Sequence, residues 1–205
     1  MITLDDVRDA RGRIAGIIRP TPVDRSASLS QRVGRPVILK PEHLQRTGSF
    51  KIRGAYNLVS RLPAEAVEVV AGSAGNHAQG VALAASLTGR RATIFMPANA
   101  PLPKVEATRA YGAVVRFESG AVDDALAAAH RYAEEHGAVY VPPFDHPLVI
   151  AGQGTVGLEL ADEAPEAEVV VVAIGGGGLI SGVATARVRP ASAPGRSSRT
   201  IRSSR

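Results

Sequence analysis

Val169-Val170-Val171-Val172-Ala173-Ile174 runs directly into Gly175-Gly176-Gly177-Gly178-Leu179-Ile180-Ser181-Gly182. Six apolar residues rich in valine, with no polar alternation, predict a strand buried on both faces, and the apolar pattern that resumes near Leu179 predicts a helix. Four consecutive glycines between them each cost entropy on ordering, which a plain connection does not require. They let several backbone N–H groups converge at the positive end of a helix, an anion cradle usually filled by phosphate. The spacing does not fit the dinucleotide fingerprint, because Ile180 and Ser181 stand where a third glycine belongs. There is no Gly-Lys-Ser/Thr phosphate loop either, which favours a smaller phosphorylated ligand over a nucleotide.

Working back from that stretch, strands and helices alternate. Strands are predicted at 67–71, 92–96, 113–117 and 139–141, and helices at 76–87, 104–111, 122–136 and 155–161. The pattern is that of an α/β protein built on open parallel sheets. An amphipathic helix opens the chain, with Thr3 as its N-cap, an apolar stripe from Val7 to Ile18, and Pro20 and Pro22 at its end. A short strand follows at 37–39, and a helix after Lys51 carries Ala55, Leu58, Val59 and Leu62 on one face.

The 205 residues carry a formal net charge of +5, yet six arginines and no acid fall within 187–205. Without that segment 18 basic side chains face 19 acidic ones, so the body of the chain is near neutral. A nucleic-acid-binding reading would rest on the tail alone, and no aromatic residues interleave its arginines. Cysteine is absent, which excludes a disulfide framework and cysteine metal sites and fits a cytosolic protein. Met1 to Arg19 contains Asp5, Asp6 and Asp9 and does not read as a signal peptide, and no segment is long and apolar enough to predict a membrane span.

Only Lys40, Lys51 and Lys104 occur against 21 arginines. A lysine amine can be deprotonated and an arginine cannot, so Lys51, set after Thr47-Gly48-Ser49-Phe50, is a candidate for Schiff-base chemistry with a carbonyl compound. A surface lysine opening a helix is the plainer alternative. Gly72-Ser73-Ala74-Gly75-Asn76-His77-Ala78-Gln79-Gly80 again joins a strand end to a helix start. Its N–H groups and the Ser73 and Asn76 side chains suit a substrate carboxylate, although Ser73 or Asn76 could simply cap the helix. His77 taken alone reads as a structural histidine.

A Schiff-base lysine, a phosphate cradle and a carboxylate-binding turn together describe pyridoxal phosphate and an amino acid. The chain resembles the fold-type II pyridoxal-phosphate enzymes, and within them the threonine/serine dehydratases (ammonia-lyases). The resemblance rests on Ser49-Phe50-Lys51-Ile52-Arg53-Gly54-Ala55, Ser73-Ala74-Gly75-Asn76-His77, Pro143-Phe144-Asp145, Ile150-Ala151-Gly152-Gln153-Gly154-Thr155 and Gly175-Gly176-Gly177-Gly178-Leu179, in order over residues 4–186. It implies a two-domain fold, with a large cofactor domain from 1–48 and 148–186 and a small α/β domain from 49–147. It also implies that Lys51 is catalytic and holds the cofactor as a Schiff base, with Phe50 against the ring and Asn76 on the ring's 3′ oxygen. Gly175, Gly176, Gly177, Gly178 and Leu179 would bind the phosphate, and Ser73, Ala74, Gly75, Asn76 and His77 the substrate. The implied reaction is β-elimination from L-threonine or L-serine. The implied partner is a small amino acid, with no nucleic acid, membrane or metal, in a family that is usually homo-oligomeric and cytoplasmic. Serine racemases of this group carry a serine acting as a second base where Ala74 stands, so elimination is expected over racemisation. A non-catalytic phosphate-binding remnant is the other reading.

Departure from the family begins at Arg187. Residues 187–205 are rich in Arg, Ser, Pro and Ala without apolar period and read as a disordered, out-of-frame tail. The large domain is therefore expected to be incomplete, and the chain to have little or no activity.

Overall fold

The computed structural model describes residues 1–187 and 200–204. Four strands, β3 (Glu68–Gly72), β4 (Arg91–Pro97), β5 (Val114–Glu118) and β6 (Val139–Tyr140), form one parallel sheet in the order β5-β4-β3-β6. Their connections are the helices α4 (Asn76–Leu87), α5 (Leu102–Ala110) and α6 (Val122–His136). Strand alternation sorts the core. Val69, Ala71, Ile94 and Met96 face the cluster that contains Val81, Ala84, Ala85 and Val105, while Val70 and Phe95 face Ala125, Ala128, Ala129 and Tyr132 of α6. Helices α4 and α5 thus cover one face and α6 the other, so the strand order reverses between β3 and β6. In open parallel sheets the crevice beyond such a reversal, at the carboxyl ends of the strands, is where ligands bind.

Around this sheet pack α1 (Leu4–Ile14), α3 (Lys51–Val59), α7 (Pro147–Glu163) and α8 (Gly178–Arg187). Thr3 caps α1 through a reciprocal bond with Asp6, as the sequence predicts. The helix stops at Ile14 rather than running to the prolines, with Gly16 in the left-handed region just beyond (φ 75°). Two elements escape the apolar pattern because they bury little: α2 (Ala27–Val33), which has no buried residue, and β1 (Asp24–Arg25), paired antiparallel with β2 (Ile38–Leu39).

Helix α7 begins at Pro147, eight residues before the predicted start at Thr155. Gly152, Gly154 and Gly157 hide it from a reading based on propensity, and tertiary packing explains them. A Cβ on Gly152 would lie 2.6 Å from the Arg53 carbonyl oxygen and from Gly54 Cα. On Gly154 it would meet the Gly182 carbonyl oxygen at 2.8 Å, and on Gly157 the Ala186 side chain at 2.8 Å. Gly54 and Gly182 return the approach, against the carbonyl oxygens of Val149 and Ile150. Helices α3, α7 and α8 therefore touch backbone to backbone. Gly152→Ala, which in an open helix would gain close to 1 kcal/mol, is expected to lose about 1–3 kcal/mol through overpacking. Gly12→Ala in α1, where a Cβ meets nothing within 4 Å, should be neutral or stabilising. The urea midpoint should fall for Gly152→Ala and hold or rise for Gly12→Ala.

Strand β7 (Val169–Ala173) departs from the buried strand its valines predict. It pairs in parallel with β8 (Thr200–Ser204), and Val169 and Val171 are 47% and 66% exposed, while Val172 is buried beside Val156 and Val183. Nothing among the described residues covers its outer face. The tail reading gave 187–205 no regular structure. Arg187 closes α8 and Thr200–Ser204 form β8, while residues 188–199 and 205 lie outside the described residues. No helix among the described residues is long and apolar enough to cross a membrane.

Candidate active site

The predicted motifs meet at the reversal point of the sheet, joined by the segment that leaves β6. Lys51, at the first turn of α3, lies over Gly80 of α4, where a Cβ would sit 3.2 Å from the Lys51 Cβ. The absence of a side chain at Gly80 lets α3 rest on α4. Lys51 Nζ donates to the Pro143 carbonyl oxygen at 2.6 Å and stands 5.4 Å from the centre of the Phe50 ring. Desolvation holds the amine below the ordinary lysine value. Among the described residues no carboxylate pairs with it, so burial is uncompensated and favours the neutral, nucleophilic form.

His77 makes the second tie. It is 4% exposed and its Nε2 lies 2.9 Å from the Val141 carbonyl oxygen. A carbonyl can only accept, so Nε2 carries a proton. Desolvation pushes its pKa down to about 4, against the opposing effect of the Val141 bond and with a smaller contribution from the charge of Lys51. His77 thus ties the start of α4 to the segment that leaves β6, which holds Lys51 through the Pro143 carbonyl. Because the folded value lies below that of an unfolded histidine, the stabilisation is complete above about pH 6.5 and is lost as the pH falls toward 4. The loss should approach roughly 3 kcal/mol. His77→Gln should flatten this part of a pH–stability curve measured by thermal melting.

Phe144 makes the third tie. Cβ atoms on Gly176 or Gly178 would strike Phe144, on its ring and its carbonyl oxygen respectively, while Gly177 occupies the left-handed region (φ 84°). Nothing lies within 4 Å of the corresponding position at Gly175. The four glycines are thus shaped by two requirements, close approach to Phe144 and an open backbone at the start of α8. Phe50 and Leu179 pack on the same small apolar cluster, with Val172 and Val183.

Ser73 and Asn76 do not cap α4. Its N-cap is Gly75, without a side-chain bond, and the Ser73 hydroxyl instead accepts from the Gly75 N–H at 3.2 Å. Among the described residues the first-turn N–H groups of α4 have no side-chain acceptor, and they point toward the carboxyl ends of the strands, where an anion is favoured. Ser73 and Ala74 are half-buried and Asn76 is exposed, its Oδ1 accepting from Lys104 Nζ at 2.8 Å.

Two features went unread in the sequence. Lys104 lies nearly 30 residues from Asn76 and carries no motif of its own. The other is a buried ion network beneath Lys51. Arg53, fully buried, donates to both Glu42 oxygens at 2.8 Å, to Glu159 at 2.5 and 3.0 Å, and to the Thr155 hydroxyl at 3.0 Å. Lys40 reaches Glu159 at 2.8 Å and Glu163 at 3.0 Å. Of the three lysines, none is a free surface charge.

The fit to an aldehyde-bearing phosphate ester follows from these observations. A depressed, uncompensated amine, a glycine turn in which side chains would collide, and an uncapped helix N-terminus share one crevice. They would serve respectively a carbonyl carbon, a phosphate and a carboxylate. Among the described residues no group of three or more histidines and carboxylates is placed to hold a metal ion.

Comparison with known proteins points the same way. The chain is 53% identical over 188 residues to L-threonine ammonia-lyase of Thermotoga maritima, covering 91% of this chain and 47% of that one. Catabolic L-threonine dehydratase TdcB of Escherichia coli K12 is 46% identical over 187 residues, covering 90% of this chain and 57% of the relative. The chain thus spans about half the length of these curated relatives. Among solved structures, maize serine racemase superposes with a TM-score of 0.87 at 44% identity, covering 90% of this chain and 57% of that one. A family model described as pyridoxal-phosphate dependent enzyme matches residues 14–195. With motifs, fold and relatives in agreement, the chain belongs to the pyridoxal-phosphate dependent enzyme family.

Proposed function

We propose that this chain carries the cofactor-holding and proton-transferring part of a threonine/serine ammonia-lyase, which converts L-threonine to 2-oxobutanoate and ammonia, and L-serine to pyruvate and ammonia. The observation that supports this most is Lys51, a desolvated amine at the carboxyl ends of β3 and β6 without a carboxylate partner among the described residues. In this reading the N–H groups of Gly175 to Gly178 would hold the phosphate at the start of α8, Phe50 would contact the ring and Asn76 would bond the ring oxygen. Ser73 to Asn76 hold the substrate carboxylate at the start of α4. Bound pyridoxal phosphate supplies an electron sink for the charge that develops at the substrate Cα.

With pyridoxal phosphate bound, the Lys51 amine would hold it and, in its neutral form, would serve as the base for the Cα proton. Loss of the β-hydroxyl as water then leaves an unsaturated amine, and hydrolysis takes up one water and releases ammonia. Ala74 has no exchangeable proton, so nothing at that position can return a proton to the opposite face of Cα. Elimination is favoured over racemisation on that ground.

The test is to reconstitute the chain with pyridoxal phosphate, reduce it with borohydride and map the modified peptide, then assay ammonia release from L-threonine. Modification at Lys51 is the expected result, and ammonia release, where it is detected, should disappear in Lys51→Ala. Modification confined to Lys40 or Lys104, or none at all, overturns the proposal.

A further inference from the structure

Lys104 is one of only three lysines, and its backbone is fixed from two sides. In the first turn of α5 its N–H donates to the Pro101 carbonyl oxygen at 2.8 Å, and its carbonyl accepts from the buried Thr108 hydroxyl at 2.8 Å. Helix α5 follows β4, the neighbour of β3, so Lys104 and Asn76 rise from adjacent strand ends into the same crevice. Lys104 Nζ donates to Asn76 Oδ1 at 2.8 Å. An ammonium has three donors and no acceptor, so only the oxygen of the Asn76 carboxamide can face it. That contact settles the orientation of the amide. Its Nδ2 must point away from Lys104, and among the described residues Nδ2 donates to no protein atom. Asn76 is exposed, so its two N–H bonds are available to a ligand.

We infer that Lys104 is a positioning residue for the cofactor: it fixes the Asn76 carboxamide with its N–H edge toward the ring oxygen. The inference rests on the function proposed above and assigns a residue that no motif marks. By drawing electron density toward Oδ1, the ammonium also makes Nδ2–H a stronger donor, which favours the ionised form of the oxygen it meets. Arginine is the default cation of this chain, but its wide planar fork would not present a single compact charge to one amide oxygen.

The experiment measures two properties of the reconstituted chain, the dissociation constant for pyridoxal phosphate and the pH midpoint of the bound cofactor's visible absorbance, with the melting temperature of the cofactor-free protein as control. Lys104→Met retains the stem and loses the charge. It is expected to weaken binding about tenfold and to move the pH midpoint, with the melting temperature little changed. Lys104→Arg should recover part of both effects. In an Asn76→Ala background, Lys104→Met should have no further effect, because its influence passes through that amide. Wild-type dissociation constant and midpoint in Lys104→Met overturn the inference alone. An undiminished tenfold loss in the Asn76→Ala background also overturns it, since it places Lys104 directly on the cofactor. A wild-type chain that takes up no cofactor sinks the proposed function and this inference together.

Discussion

Lys51→Ala is expected to leave the protein folded and unable to hold pyridoxal phosphate covalently, with no borohydride-stable adduct and no visible absorbance from lysine-bound cofactor. The other two lysines are already engaged, Lys40 by Glu159, Glu163 and the Thr21 carbonyl and Lys104 by Asn76, so neither amine is free to substitute. Under the proposed function any turnover of L-threonine should fall by at least about 10³-fold, because the same amine would serve as attachment point and base. Lys51→Arg separates chemistry from packing. It keeps a donor for Pro143 and a cation beside Phe50, yet a guanidinium stays protonated and forms no imine. Lys51→Ala should melt within a few degrees of wild type, since it removes a desolvated amine that has no carboxylate partner among the described residues, whereas Lys51→Arg should melt lower because its charge cannot be relieved by deprotonation. A reduced adduct of wild-type yield in Lys51→Ala would assign the chemistry to another residue.

Arg53→Met carries the largest expected cost in stability. Burial opposes the Arg53 charge, and Glu159 and Glu42 more than offset that, so the network is stable only while complete. For Glu159, burial alone would raise the pKa, but Arg53 and Lys40 together hold it below the ordinary carboxylate value. Removing the guanidinium leaves Glu42 and Glu159 largely buried without their main partner, at a cost of about 3–5 kcal/mol. Against total stabilities of roughly 5–15 kcal/mol, that unfolds a substantial fraction of the molecules. Adding Glu42→Gln and Glu159→Gln to Arg53→Met should recover part of the loss, because the penalty lies in the unpaired charges. The urea midpoint reports both effects, and a loss under about 1 kcal/mol for Arg53→Met would refute the account. The network is also a source of acid sensitivity. A carboxyl held below its usual value contributes stability that is present above the ordinary carboxylate range and lost as the pH falls through the lower folded value.

The sequence was legible where local chemistry and burial coincide. Alternating valine-rich strands and amphipathic helices from Val67 to Val141 marked a parallel sheet, because the central strands β3 and β4 are mostly apolar and buried, although the edge strand β5 carries Arg116 and Glu118 and exposes Val114 and Phe117. The glycine turn before Leu179 and the Asn76 turn stood out because backbone N–H groups at helix starts need small residues and open space. Lys51 stood out because the chain almost always writes arginine instead. By contrast α2 and β1 bury almost nothing and leave no period to read. The first eight residues of α7 were obscured because glycine weakens a helix taken alone, whereas here it is what allows α7 to touch α3 and α8.

The sequence by itself thus determined the α/β class, the three motifs of the crevice and the family that shares them, since each is written in contiguous residues whose physical requirements are local. Only the tertiary structure decided what binds the motifs to one another: His77 on Val141, Lys51 on Pro143 and Gly176 against Phe144. It alone revealed Arg53 between Glu42 and Glu159, and Lys104 on Asn76. Those contacts join residues far apart in the chain, and their strength depends on a desolvation that exists only once the sheet and its helices have closed around them.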